Sequence, residues 1–365
     1  MKSTINFSDR TIPSATVLGH KTYLLDAWLQ IPEKIILPEV TTTGGGFDLE
    51  IINGSTNDLD YFRPKRNPLK FLKRQNTTTI EKKVIFDARY EVDTNISHYL
   101  LDTLTRILIA RDVMSQNGMQ SAEIVVILKE NPSELARNFF KTLNYQTIET
   151  ESNIQGLIVK HKIHPAKSTV DNYISYEDFG FFDTTKYAFE NILKFRPAYN
   201  SKYGEKIFIS RKNSRTIENE EEIEKILSEH GYKKVYFEEG KLSLEEQWGI
   251  VAEAKEIVAI HGAALSALIF NHIKNFDSYK SNQSKTKLIE VFGPGFFNGY
   301  FRSLANTLGI NWIGIRGKIT PEVVKDMDFM ENGNPPGHTH QADSFTVDPF
   351  SIQRALELMA SEDSI

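Results

Sequence analysis

The chain has 365 residues, 40% of them hydrophobic and 25% charged, with a formal net charge of −5 and no cysteine. That composition fits a globular protein with room for two domains of ordinary size. The negative balance argues against a general nucleic-acid binder, and the lack of cysteine excludes a disulfide framework, thiol chemistry and thiolate metal sites.

Residues 1–80 read as irregular, with short apolar runs such as 34–37 separated by Gly, Pro and Asn. The opening stretch MKSTINFSDRTIPS has no apolar signal core, and no apolar run reaches about eighteen residues, so a cytoplasmic location is expected. From Val84 the apolar spacing alternates between strand and helix periods. Segments 83–87 and 123–128 predict buried strands. Between them, 97–115 predicts a helix with apolar Tyr99, Leu100, Leu104, Ile107, Leu108 and Val113. A helix over 133–143 and a strand over 156–160 follow, then a linker-like region with Pro165 and Pro197.

The second half is more regular. Strand 206–210 (KIFIS) leads to helix 218–230, which Gly231 ends. Strand 234–237, helix 243–254, strand 256–260, helix 263–270, strand 288–292, helix 299–308 and strand 312–315 come next. A last helix over 350–359 puts Ile352, Leu356 and Met359 on one face. Strands alternating with helices imply a parallel sheet covered on both faces, with ligands at the strands' carboxyl ends. The expected fold class is α/β, with two Rossmann-like domains facing a cleft. The expected domains are 1–195 and 196–345, with 346–365 as a terminal helix crossing back to the N-terminal domain.

The most informative stretch is EIVAIHGAALSALIF, residues 256–270. An apolar strand turns through His261, Gly262, Ala263 and Ala264 into an apolar helix, and a helix N-terminus with small residues is an anion site. The same pattern also serves tight helix–sheet packing. Arg211 and Arg215 follow the strand KIFIS and can clamp phosphate oxygens, or can pair with Glu220 or Glu221. Glu290 stands in the apolar strand LIEVF, where a carboxylate needs a partner or a ligand such as a ribose hydroxyl. Gly293, Pro294 and Gly295 follow it, as a base or sugar pocket or as a plain turn. The set describes a nucleotide-diphosphate site without a metal. The pairs Asp58/Asp60 and Asp326/Asp328 match a metal motif by letter only.

Three segments carry a family resemblance: KIFISRKNSRTIENEEEI, then GYKKVYFEEGKLSLEEQWGIVAEAKEIVAIHGAALSALIF, then KLIEVFG. Together with NISHYLLDTLTRI at 95–107, they resemble glycosyltransferase family 61 over roughly 84–315 in order and spacing. The resemblance implies a GT-B fold, a nucleotide-sugar donor, inverting transfer, and no essential metal or cofactor. It implies an acceptor-side first domain and a donor-binding second domain. By the same resemblance Arg211 and Arg215 would contact the diphosphate, His261 to Ala264 would form the diphosphate turn, and Glu290 would hold the ribose. His98 and Asp102 would sit on the facing domain. Where relatives have Gly-Leu-Thr-Asn after His-Gly-Ala, this chain has Ala264, Leu265, Ser266 and Ala267. Residues 271–286 read as a polar insertion, a loop at the cleft edge.

The expected function is therefore transfer of a sugar, with UDP-sugars favoured, to a saccharide or glycoconjugate acceptor, in surface-polysaccharide synthesis. A non-catalytic sugar- or nucleotide-sugar-binding protein or scaffold is the alternative. His98 is the first candidate for the base and Asp102 the second. The basic segment from Arg63 to Arg74 is expected as a solvated face or a contact with a membrane surface or anionic acceptor. Gly337 to His340 is expected as a loop.

Overall fold

The computed structural model describes residues 4–6, 22–26, 33–37, 42–43, 46–56, 59, 77–91, 94–119, 122–164, 167–168, 179–198, 202–237, 240–278, 286–295, 299–326 and 340–361. In chain order the strands are β1 (Thr4–Asn6), β2 (Thr22–Asp26), β3 (Glu33–Leu37), β4 (Thr42–Thr43), β5 (Gly46–Ser55), β6 (Thr77–Asp87), β7 (Glu123–Leu128), β8 (Gln146–Glu149), β9 (Asn153–His164), β10 (Lys167–Ser168), β11 (Lys206–Ser210), β12 (Lys233–Tyr236), β13 (Glu256–Ile260), β14 (Lys287–Phe292) and β15 (Asn311–Arg316). The helices are α1 (Leu104–Gln116), α2 (Glu134–Thr142), α3 (Phe179–Asn191), α4 (Glu220–Glu229), α5 (Leu244–Glu253), α6 (Leu268–Ser278), α7 (Tyr300–Thr307), α8 (Pro321–Asp326) and α9 (Pro349–Ser361). The chain divides into two units, residues 1–14, 43–167 and 178–195, and residues 15–42, 168–177 and 196–365.

The first unit holds a sheet in the order β1-β5-β9-β6-β7-β8, in which β6, β7 and β8 run parallel. β6 and β7 bury Val84, Ile85, Phe86 and Val125 to Leu128, as their unbroken apolar runs require. A wide helical turn, His98–Thr103, precedes α1, and Leu104 donates its N–H to Tyr99 O, five residues back. All six apolar residues expected on this helix are buried.

The second unit holds β12-β11-β13-β14-β15-β2-β3, parallel from β12 through β2, with β3 antiparallel. In chain order the first five strands read 2-1-3-4-5, so the topological switch lies between β11 and β13. Alternation sends Phe208, Val258, Ile260, Ile289, Val291, Ile313 and Ile315 to one face, where they pack against Ile223 and Leu227 of α4 and Ile352, Ala355, Leu356 and Met359 of α9.

Two expectations change. Residues 1–80 include the ten-residue strand β5, and β2 and β3 join the second sheet, so 15–42 group with the second unit. The apolar face of the tail helix α9 packs into the second unit's own core. The stretch expected as a loop from 271 begins inside α6. Asn271 is buried there and donates from Nδ2 to Val251 O (3.0 Å) and Ala254 O (2.6 Å), closing the end of α5. His272 is also buried, with Nδ1 on Leu308 O at 3.0 Å. Among the described residues no helix is long and apolar enough to cross a membrane. The segment from Arg63 to Arg74, Asp58 and Asp60, Asp328, and Gly337 to Thr339 lie outside the described residues.

Candidate active site

The switch point brings the loops after β11 and β13 together. Arg211 and Arg215 both donate from Nη1 to the backbone oxygen of His261, at 3.2 and 3.0 Å. Arg211 also donates from Nη2 to Ser214 Oγ at 3.2 Å. Glu220, one of the two partners the sequence offered, accepts from Tyr236 Oη (2.9 Å), Lys234 Nζ (3.4 Å) and Ser210 Oγ. Ser210 Oγ in turn accepts from the Arg211 N–H at 2.7 Å, so the acid network braces the root of the arginine loop.

Gly262 is buried and extended, and a methyl group there would collide with Arg211 Nη1. The glycine thus makes room for the guanidinium. Ala263 and Ala264, half-buried, open a 3-10 turn, Ala263–Ala267, that runs into α6, and their N–H groups have no carbonyl one turn back. Two guanidinium groups that share one carbonyl oxygen repel each other, and an anion placed across them would offset that repulsion.

The side chain of His261 points away from this opening. It is only 7% exposed, lies against the Phe292 ring at 5.0 Å, and has Nδ1 2.6 Å from Glu290 Oε1. Glu290 is 0% exposed, and its other oxygen accepts from Trp312 Nε1 at 2.7 Å. Register explains the fit: Glu290 lies opposite Gly314 on β15, which leaves space, and Trp312 is the diagonal neighbour on the same face. Both Glu290 oxygens are thus bonded inside the protein, one to His261 and one to Trp312. Arg302 of α7 stands 5.9 Å from the Trp312 ring, and burial pushes its guanidinium down to about 10.

His98 and Asp102 meet in the first unit. Asn95 opens the helix by accepting the Ser97 N–H on Oδ1 at 3.0 Å. The wide turn then places His98 Nδ1 2.6 Å from Asp102 Oδ2, with side chains 43% and 24% exposed. The hydrogen bond to Asp102 raises the His98 pKa above its ordinary 6.5. Burial opposes the rise, the charges of Asp102 and Glu91 add to it, and Arg106 subtracts. Glu91 is tied down by Arg106 Nη2 (2.6 Å) and Thr103 Oγ1 (2.9 Å).

Arg211, Arg215, His261, Gly262, Ala263, Ala264 and Glu290 thus gather in the second unit, and His98 with Asp102 in the first. Sequence reasoning missed Trp312 and the Ser210–Glu220 brace. A Trp in a buried strand needs an acceptor, which was the available signal for the first. The second unit thus carries a parallel α/β sheet with cationic loops at its switch point, the place where open α/β sheets take ligands. Residues 96–276, just under half of the chain, match the Glycosyltransferase 61 family model, and the match supports a glycosyltransferase. No curated protein matches the chain.

Proposed function

We propose that the chain is an inverting, metal-independent glycosyltransferase of the GT-B class. It would move a sugar from a nucleotide-diphosphate donor, with UDP-sugars favoured, to a saccharide or glycoconjugate acceptor. The observation that carries this reading is the convergence of Arg211 and Arg215 on the His261 carbonyl at the switch point, beside the half-buried turn of Ala263 and Ala264. A departing diphosphate needs fixed positive charge, and two guanidinium groups with a helix N-terminus supply it.

His98 is the base in this reading. Its Nδ1–H goes to Asp102, so Nε2 is left to take the acceptor's hydroxyl proton. The acceptor oxygen attacks the anomeric carbon, and the bond from that carbon to the diphosphate oxygen breaks with its electron pair. Asp102 is then a positioning residue, and Glu290 acts only through His261. No cofactor takes part; the nucleotide sugar is a substrate. A cytoplasmic role in surface-polysaccharide synthesis, with the segment from Arg63 to Arg74 at a membrane or anionic acceptor, belongs to the same proposal.

A non-catalytic scaffold is the second reading. Ala267 favours it, since this position is buried and has no polar side chain to offer a donor. Thermal-shift and hydrolysis assays with UDP-, GDP- and CMP-sugars separate the two. The enzyme reading expects one donor class to raise the melting temperature and to be slowly hydrolysed. A chain that neither shifts nor turns over any of them is the scaffold.

A further inference from the structure

Residues 88–91, which leave the carboxyl end of β6, are pinned to the first sheet. Ala88 donates its N–H to Ile127 O (2.9 Å), and Glu91 donates its own to Ala88 O (3.2 Å). Between them Arg89 grips buried Asp87 through Nε (2.9 Å) and Nη2 (2.7 Å) and reaches Ser152 O with Nη1 (2.8 Å). This fixed loop carries Glu91 to the wide turn His98–Thr103. Glu91 Oε2 accepts from both Thr103 Oγ1 and Arg106 Nη2, with the Glu91 and Arg106 side chains only 13% and 7% exposed. Arg106 completes the link, since its Nε donates to the backbone oxygen of Asp102 at 3.1 Å. A continuous set of contacts therefore runs from the sheet to the carboxylate residue that holds His98.

The turn needs such support. A turn closed by a bond to the fifth residue back competes with the ordinary α-helical turn and is rare within helices. Rewinding it to 3.6 residues per turn would swing His98 around the axis relative to α1 by roughly 100°, the angle of one residue. Side chains hold the wide register. Leu101 O accepts from Thr105 Oγ1 and, from α3, Thr185 Oγ1 (3.4 Å). Asp102 O accepts from Arg106, and buried Thr103 gives its hydroxyl to Glu91. A buried ion pair adds little net stability over an apolar pair of the same shape, and its best-attested use is to fix one register among several.

We propose that Glu91, acting through Arg106 and Thr103, is a positioning residue that sets the register of the wide turn and so holds His98 and Asp102 at hydrogen-bonding distance. Its meaning for catalysis rests on the reading of His98 as the base; the geometry itself does not. Three charged groups act on His98: Asp102 on its own turn, Glu91 from the loop after β6, and Arg106 of α1. Helix α3 meets the turn with the neutral Thr185. Asp102 and Glu91 raise the His98 pKa, and Arg106 lowers it. Charge and position therefore predict opposite signs when Arg106 is removed.

The test is an NMR titration of the His98 ring in the full chain, with its signal assigned by its loss in His98→Ala. If Arg106 acted on His98 by charge alone, Arg106→Met would move the titration midpoint up, and Arg106→Lys, which keeps the charge and loses the guanidinium fork, would leave it in place. Under the proposal both variants release the Asp102 backbone, the His98–Asp102 bond weakens, and the midpoint falls in both. Glu91→Ala should lower it too. It should also speed hydrogen exchange at the Leu104 N–H by about tenfold or more, the worth of a hydrogen bond, while the β7 amides keep wild-type protection. Glu91→Gln, which keeps the shape and loses only the charge, takes its place where Glu91→Ala does not fold. A midpoint that rises in Arg106→Met or stays in place in Arg106→Lys overturns the proposal, as does wild-type exchange at Leu104 in the Glu91 variant. No substrate enters these measurements, so the brace can fail while the base reading stands; that reading fails instead on full turnover in His98→Ala.

Discussion

Among the described residues, the pairs His98–Asp102 and His261–Glu290 share a 2.6 Å separation and have opposite surroundings. His98 and Asp102 are 43% and 24% exposed on a helix of the first unit. His261 and Glu290 are 7% and 0% exposed beneath the switch point of the second. Distance alone therefore does not assign a role. An exposed imidazole with one nitrogen fixed by a carboxylate can exchange a proton with a substrate. A buried one, stacked on Phe292 and answered by a carboxylate that also holds Trp312, fixes the shape of the strand tip and the aim of its carbonyl.

The comparison predicts different failures when each pair is broken. His98→Ala and Asp102→Asn should lower sugar transfer by about 10²–10⁴-fold, the usual worth of a positioned base. Their unfolding free energies should fall by no more than about 1 kcal/mol, as for a partly exposed ion pair. Turnover equal to wild type in His98→Ala would remove the base from the account. Glu290→Ala should instead cost about 2–5 kcal/mol in urea unfolding, because His261 and Trp312 lose a shared buried acceptor. A loss below about 1 kcal/mol would mean that the buried pair is no pin.

A smaller effect is expected at Gly262→Ala. Moving the Arg211 guanidinium should weaken pyrophosphate binding by about tenfold, one charge-assisted hydrogen bond, with little change in stability. Calorimetry showing unchanged affinity would mean that the arginine does not need its seat. The smallest effect concerns pH. The folded pKa of His98 is raised, so the stability it contributes is full below its ordinary 6.5 and is lost as pH rises through the raised value. Transfer runs the other way, since a base must be neutral, and it should rise through that same raised value. Asp102→Asn removes the main cause of the shift and should move the acidic limb of the rate profile to lower pH. A limb that stays in place would assign the titration to another group.

Much of the second sheet was legible because β11, β13, β14 and β15 are mostly buried runs rich in apolar residues, set between helix-period segments, from KIFIS to NWIGIR. β5 was missed although Phe47, Leu49 and Ile51 alternate, because Gly and Asn around them read as loop. Nothing local announces that β2 and β3 pair beside β15, since that contact spans most of the chain. The cost of Glu290 in an apolar strand was readable, but its partners lie 29 and 22 residues away, so the sequence could not tell a buried pin from a ligand contact. Asn271 and His272 failed for the opposite reason. Their polarity read as solvent exposure, while backbone carbonyls at helix ends satisfy them inside the core.

The proposed function divides the labour, with diphosphate binding assigned to the second unit and proton transfer to the first. Calorimetry with the nucleotide sugar that wild-type protein binds best tests it directly, on Arg211→Ala and His98→Ala side by side. Arg211→Ala should bind about tenfold or more weakly, the loss of a charge-assisted contact, and His98→Ala should bind as wild type does. Unchanged affinity in Arg211→Ala, or a comparable loss in His98→Ala, would contradict it.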